Sequence, residues 1–145
     1  MSFHPLPGHW DEIVELYTDT NLTRPEDKLV AISGLAREIQ KDAKDIYYAG
    51  LWGKDFERTL LWYVQMPQRT ALEKYRAPSW SWASVDGKVG FLAQKPNPGL
   101  STSPVATVHT IRTVVAEGQE SSTRQIKDGF CRISGALRKV LRYEK

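Results

Sequence analysis

The chain of 145 residues has little cysteine, little histidine and no long apolar run. Its single cysteine, Cys131, excludes an internal disulfide, and its three histidines are too scattered to match the spacing of zinc ligands. No apolar run reaches the ~20 residues that a membrane-spanning helix needs. The first ten residues have neither the basic nor the apolar region of a signal peptide. We therefore expect no metal, no membrane association and a cytoplasmic location.

Sequence signatures of catalysis and of cofactor binding are also missing. The chain has no G-x-S-x-G elbow, no Walker loop and no G-x-G-x-x-G. Arg132 can lower the pKa of the neighbouring Cys131 thiol, but no histidine base is identifiable, and a strand cysteine is more often a small buried residue. Four carboxylates fit an exposed helix surface better than an acid–base pair; these are Asp42, Asp45, Asp55 and Glu57. We expect no catalytic, cofactor-binding or metal-binding residue, and hence no enzyme.

The charge of the chain is small overall but unevenly distributed. The net charge is +3, yet residues 124–145 carry seven basic side chains against two acidic ones. Such a segment can contact an acidic partner or nucleic acid. A solvated strand face is the plainer interpretation, and we do not expect nucleic acid because the chain as a whole is far from strongly basic. The candidate basic contacts are Arg132, Arg138, Lys139 and Arg142.

The first half of the sequence has helical periodicity. Apolar residues between Trp10 and Tyr17 recur at the spacing of one helix face. Thr23 and Glu26 form a capping-box pattern, and the intervening Pro25 suits a first helical turn. We expect this second helix to end at about residues 42–44. A third helix is predicted from Asp55, because Phe56, Leu60 and Val64 recur at every fourth position.

The second half of the sequence favours strands. Residues 80–85 alternate, Asp86-Gly87 is a hairpin signal, and residues 88–92 are the predicted return strand. Further strands are predicted at 105–115, 130–134 and 136–142. This order predicts an α+β fold in which an N-terminal helical layer packs on a C-terminal, mostly antiparallel sheet. The expected organisation is a flexible leader (1–9), a single domain (10–142) with a helical part (10–65) and a β part (78–142), and a short tail (143–145).

The segment YRAPSWSWASVDG, from Tyr75 to Gly87, holds two of the five tryptophans. On a strand, Trp80 and Trp82 would project to one face and their small neighbours to the other. The rings then either cover the helical layer as core residues or form an exposed aromatic platform. We favour the core interpretation, because the helical layer needs an apolar surface to cover it. The expected contacts are Leu35, Ile39, Phe56 and Leu60.

Several motifs, taken in order, resemble fungal heterokaryon-incompatibility (HET) domain proteins. They are W-x-x-[IV]-V-x-x-Y from Trp10, L-T-x-x-x-D-K-L-x-A-I-S-G-L-A from Leu22, A-G-L-W ending at Trp52, L-L-W ending at Trp62, and R-A-P-S-W-S-W-A-S-x-D-G from Arg76. The resemblance covers residues 10–137. It singles out a set of motif positions, namely Asp27, Lys28, Leu29, Gly34, Gly50, Trp52, Arg76, Pro78, Ser79, Trp80, Ser81, Trp82, Asp86 and Gly87.

The resemblance implies a role in non-self recognition and programmed cell death. In the family these motifs follow the HET core, a TIR-like domain that carries the activity, so the chain would be a fragment that holds the non-catalytic accessory region. The implied partner is a HET core in the same polypeptide or another incompatibility protein. The alternative is a binding module that uses the basic C-terminal strands with Trp80 and Trp82 for nucleic acid or an acidic partner. A nucleotide-cleaving enzyme is a third hypothesis, resting on analogy to the upstream domain alone.

Overall fold

The computed structural model describes residues 9–20, 24–65, 74–92, 106–117 and 125–137. Helix α1 spans Trp10–Thr18, as its apolar stripe predicts, and it buries Trp10, Val14 and Thr18 along one face. Its first turn holds Asp11 and Glu12, whose negative charges favour a helix N-terminus. The hydroxyl of Thr18 donates a hydrogen bond to the Val14 carbonyl, one turn earlier in the helix, over 2.8 Å.

Helix α2 spans Lys28–Ala43 and follows a 3₁₀ turn at Pro25–Asp27. Proline at the first position of that turn is confirmed, and the residue before it, Arg24, makes no side-chain cap hydrogen bond. The predicted capping box depends on Thr23 and stays a prediction. Thr23 itself lies outside the described residues. The helix ends where predicted, with Lys44 in the left-handed region at a φ of 46°.

The short helix α3, Phe56–Thr59, corrects the prediction of a helix that continues to residue 64. Strand β3, Trp62–Val64, takes the place of its second half. A short apolar run such as LLWYV suits either structure, and periodicity alone does not separate the two. The choice is made by pairing, because β3 lies antiparallel to β4, Val89–Phe91.

The predicted hairpin between residues 80–85 and 88–92 is also wrong. Residues Trp82–Ser84 form a 3₁₀ turn, and the expected return strand pairs with β3 instead. Pro78 and Ser81 explain the difference. The Ser81 amide donates to the Pro78 carbonyl over 2.9 Å, and the Ser81 hydroxyl accepts from the Ala83 amide over 3.1 Å. Such local bonds compete with the strand conformation.

Two further ladders complete the described strands. Strands β1, Tyr47–Tyr48, and β2, Leu51–Trp52, pair across a tight turn. Strands β5, Ala106–Val115, and β6, Ile126–Gly135, form an antiparallel ladder of ten residues on each side. The prediction of β5 is confirmed to within a residue, whereas β6 is one longer strand that starts four residues before the predicted one. Ala136 and Leu137 are not strand residues, and 138–142 lie outside the described part.

The α+β class is confirmed, with N-terminal helices and antiparallel strands. The strands of the described part form three separate two-stranded ladders rather than one sheet. The strands β1, β2 and β3 lie inside the segment 10–65, which was predicted to be helical. In the described ranges, no helix is long and apolar enough to cross a membrane. One buried cluster joins α1, α2 and the short ladders, and its largest fully buried side chains are Trp10, Trp82, Tyr47 and Phe56.

Candidate functional site

The motif residues meet at the turn between β1 and β2. The turn residues Ala49 and Gly50 both have positive φ values, of 44° and 99°, as a tight two-residue hairpin requires. The Gly50 carbonyl accepts hydrogen bonds from two indoles, Trp10 Nε1 at 2.8 Å and Trp82 Nε1 at 2.9 Å. Ser81 Oγ donates to the Ala49 carbonyl over 2.6 Å. Three motifs that are far apart in the sequence are therefore joined at one peptide turn.

Aromatic rings surround this turn. The ring of Trp10 meets the rings of Tyr47 and Trp52 edge to face, each with centroids 5.7 Å apart. Tyr47 and Trp52 are themselves 5.0 Å apart. Edge-to-face pairs of this kind each add about 0.5–1.5 kcal/mol beyond the area that they bury. Trp52, a motif position, is thus a core residue, as Trp10 is.

The two tryptophans of the SWSW motif do not share a face, which corrects the strand-based prediction. Trp82 is fully buried in its 3₁₀ turn, against the ring of Tyr17 at a centroid distance of 6.1 Å. Trp80 is half-buried, 5.5 Å from the ring of Phe56, and its carbonyl accepts from Trp62 Nε1 at 2.8 Å. The core interpretation holds for Trp82, and neither ring forms an exposed platform.

A buried cluster of charges lies beside Trp82. The side chain of Lys28 is buried, its Nζ donates to the Val85 carbonyl over 2.7 Å, and it lies 5.9 Å from the centroid of the Trp82 ring. Arg76 is also buried, with Nη2 2.8 Å from an Asp86 carboxylate oxygen. Arg76 Nη1 approaches the Pro25 carbonyl at 3.4 Å, whereas Nε is buried without a hydrogen-bond partner among the described residues.

The electrostatics of this cluster follow from burial. Burial, then repulsion by Arg76, lowers the pKa of Lys28 to about 8, and attraction by Asp86 opposes the shift. Burial, then the charge of Asp27, raises the pKa of Tyr17 to about 12. The Tyr17 hydroxyl donates to the Lys28 carbonyl over 2.7 Å. An amine with this pKa is chemically capable of nucleophilic attack. Here the amine donates to a carbonyl and lies against an indole, so it is not free to attack a ligand.

The other motif positions divide into buried and exposed ones. Leu29 and Pro78 are buried, and Gly87 has a φ of 105° in the turn after Asp86. Asp27 caps the N-terminus of α2 by position, without a side-chain hydrogen bond. Ser79 and Gly34 are exposed, and a Cβ on Gly34 would meet no atom within 4 Å. Nothing in the structure explains why glycine occupies position 34.

A cavity of about 190 Å³ lies beside α3, and sequence reasoning missed it. It is lined by residues from four segments, namely Trp10, Asp11, Ala43, Asp45, Trp52, Lys54, Asp55, Arg58 and Thr59. Arg58 pairs with Asp11 at 2.5 Å and with Asp55. Burial alone would lower the pKa of Arg58, but hydrogen bonds to Asp55 and Asp11 raise it. The guanidinium of Arg58 is therefore held between two carboxylates at this cavity.

Three of the four carboxylates considered for acid–base chemistry have structural partners, namely Asp45, Asp55 and Glu57. Asp45 accepts from the amides of Ile46 and Lys54, and Glu57 accepts from the Val108 amide. No group of three metal-ligating side chains occurs within the described ranges. Burial raises the pKa of the Cys131 thiol, the opposite of the effect that Arg132 would have. Cys131 was expected to be a small buried residue, and its side chain is half-buried.

The candidate basic contacts are only partly described. Arg132 is exposed on β6, whereas Arg138, Lys139 and Arg142 lie outside the described residues. Strand β5 adds a further exposed cation, Arg112, and β6 adds an exposed ring, Phe130. Sequence reasoning missed both, because their proximity depends on the register of β5 and β6. No protein-family model, no curated protein and no solved structure matches this chain.

Proposed function

We propose that this chain is a non-catalytic accessory region of a HET-type incompatibility protein. The observation that carries the proposal is the node at Ala49 and Gly50, where segments from three of the motifs are hydrogen-bonded together. Motifs that hold the core together in this way leave the outer surface of the module free to contact a partner. A catalytic motif would instead direct its polar atoms toward a ligand.

The buried charges support the same interpretation. Lys28, Arg76 and Asp86 belong to two of the motifs. Inside the molecule, Lys28 Nζ and Arg76 Nη1 contact backbone carbonyls, and Arg76 Nη2 pairs with Asp86. Breaking a buried pair of this kind leaves an uncompensated charge, which costs about 3–5 kcal/mol. Preserving the motif residues therefore preserves the fold of the module.

The partner in this proposal is a HET core domain, either in the same polypeptide or on a separate incompatibility protein, and the meeting place is the cytoplasm. The accessory region would regulate the death-inducing activity of the core by contact. This role assigns the chain no reaction of its own and no cofactor.

Co-expression in a filamentous fungus tests the proposal. The chain is produced alone, and together with HET core domains on separate polypeptides, and cell death and co-purification are measured. We expect that the chain alone causes no cell death. When it is produced with a HET core, we expect it to co-purify with that core and to change the amount of cell death that the core causes. Trp82→Ala serves as the misfolded control, because it removes a fully buried ring.

Two results would overturn the accessory role. One is death, or turnover of NAD by the purified chain, in the absence of any HET core, which would favour the nucleotide-cleaving hypothesis. The other is a folded chain that neither binds any core nor changes the death that a core causes.

A further inference from the structure

The β5–β6 ladder has two different faces. Val108 and Ile111 are half-buried and pack against the core. The opposite face, which we call the outer face, carries Arg112, Phe130 and Arg132, all of them exposed. Arg112 and Phe130 are register partners, and Arg132 is two residues from Phe130 on the same strand. Side chains alternate across a strand, so these three residues share one face.

A half-exposed aromatic ring lies at the centre of the outer face. Phe130 is 51% exposed. The Cβ of a directly opposite residue, here Arg112, is about 4.5–5.5 Å away. Two residues along a strand span about 6.7 Å, which places Arg132 beside the ring along β6 and Asp128 at the same spacing in the opposite direction. The outer face thus presents an open apolar ring with one cation opposite it on β5 and a second cation next to it on β6.

The two arginines carry charge that the described residues do not neutralise. Neither Arg112 nor Arg132 takes part in an ion pair there. Asp128 is two residues from Phe130 and lies on the same face, where it accepts a hydrogen bond from the Gly129 amide over 2.8 Å, so the face carries two cations against one carboxylate. An anionic partner would therefore find two guanidinium groups within reach of one side chain, Phe130.

We propose that the outer face binds single-stranded nucleic acid, with a base stacked on Phe130 and phosphates held by Arg112 and Arg132. Guanidinium groups bind phosphate oxygens in a bidentate manner. Unstacked bases cover exposed aromatic rings, which is the general mode of single-strand recognition. An acidic peptide would pair with the arginines but leave the ring uncovered, and the bases of a duplex are already stacked on one another.

This binding goes beyond the accessory role and does not depend on it. It also differs from a platform made by Trp80 and Trp82, since Trp82 is fully buried and Trp80 half-buried. The ring that can stack is Phe130, on a different segment.

Fluorescence anisotropy with the purified chain tests the proposal. The probe is a labelled oligouridylate of about ten nucleotides, a length typical of one single-strand site. The comparison probes are a duplex of the same length and a polyglutamate peptide. We expect the single strand to bind most tightly, with an affinity that falls as salt is raised.

Variants of the outer face separate base stacking on Phe130 from phosphate binding by the two arginines. Phe130→Ala should weaken binding by about tenfold, whereas Phe130→Trp should preserve it. Arg112→Ala and Arg132→Ala should each reduce the slope of log affinity against log salt by about 0.7. Arg37→Ala removes an exposed arginine from α2 and is the matched control, which should bind as the original chain does.

The outcomes are distinguishable. The proposal is wrong if the single strand does not bind at low salt, or if it binds with no loss in Phe130→Ala although circular dichroism shows each variant to be folded. Equal or tighter binding of polyglutamate would assign the outer face to an acidic protein partner. Equal or tighter binding of the duplex would assign it to double-stranded nucleic acid.

Discussion

Gly50 lies where two indole rings approach the same peptide group. Its φ is +99°, in the region that favours glycine. A Cβ built on it would lie 2.5 Å from Trp82 Nε1 and 2.8 Å from Trp82 Cε2. The indole is itself fully buried, so it has no free space into which to move. Both the backbone and the packing therefore require glycine at this position.

Replacing Gly50 with alanine should lower the free energy of unfolding by roughly 2–4 kcal/mol, because backbone strain adds to overpacking of the core. Urea denaturation of the purified chain measures the change. Gly34→Ala is the matched control, since position 34 is an exposed helix position with open space around it. The free energy of unfolding of this control variant should increase by up to about 1 kcal/mol. A Gly50→Ala variant as stable as the original chain would contradict this account of the turn.

At the scale of secondary-structure elements, Thr18 connects α1 to β4. Its hydroxyl donates to the Val14 carbonyl over 2.8 Å and accepts from the Val89 amide over 2.9 Å, across 71 residues of sequence. Thr18 and Val89 are both buried, so water does not replace this contact. One hydroxyl thus completes the bonding of a helix end and of a strand.

Thr18→Val should lower the free energy of unfolding by about 1–3 kcal/mol, because it leaves the buried Val89 amide without an acceptor. The amide of Val89 should also exchange with deuterium faster, which hydrogen-exchange mass spectrometry detects. Thr20→Val is the control, as its hydroxyl bonds an exposed carbonyl of the same helix end. If both variants have the same stability and the same exchange, the link between α1 and β4 is not stabilising.

At the scale of the whole molecule, the charge cluster joins α2 to the segment that carries the SWSW motif. Lys28 Nζ reaches the Val85 carbonyl across 57 residues of sequence, and Arg76 pairs with Asp86 beside it. Tyr17 of α1 bonds the backbone of Lys28. A change of protonation in this cluster therefore affects the stability of the entire fold.

Stability should rise between about pH 8 and pH 10. The pKa of Lys28 is lowered from 10.5 to about 8 in the folded chain. Across this window the unfolded chain keeps a proton that the folded chain has lost, so raising the pH favours the folded state. Below about pH 8 both states are charged and the cost of burying the ammonium is fully present. Above pH 10 the raised pKa of Tyr17 acts in the opposite direction.

Thermal unfolding of the original chain and of Lys28→Met, followed from pH 7 to pH 10, measures this effect. The melting temperature of the original chain should rise relative to that of Lys28→Met as the pH rises, because only the original chain gains stability when Lys28 loses its proton. Lys41→Met, at an exposed lysine of α2, should show no such trend relative to the original chain. Parallel curves for Lys28→Met and the original chain would mean that Lys28 does not titrate in this window.

The amino-acid sequence by itself determined α1, α2 and β5, together with the α+β class. Their signals are local, since apolar spacing, a proline in a first turn and β-branched alternation act over a few neighbouring residues. The sequence also favoured a core role for Trp80 and Trp82 together, because the helical layer needs an apolar surface to cover it. The structure bears this out in full for Trp82.

Only the tertiary structure decided the pairing of β4 with β3, the separation of Trp80 from Trp82, and the outer face formed by Arg112 and Phe130. Each depends on a contact with a segment far away in the sequence. Local propensity does not indicate which of the distant segments makes that contact. The Gly50 carbonyl accepts from an indole 32 residues away, and the Val89 amide donates to a hydroxyl 71 residues away. Such contacts are set by the packing of the complete core, and they are the ones that bury the motif residues and leave Phe130 exposed.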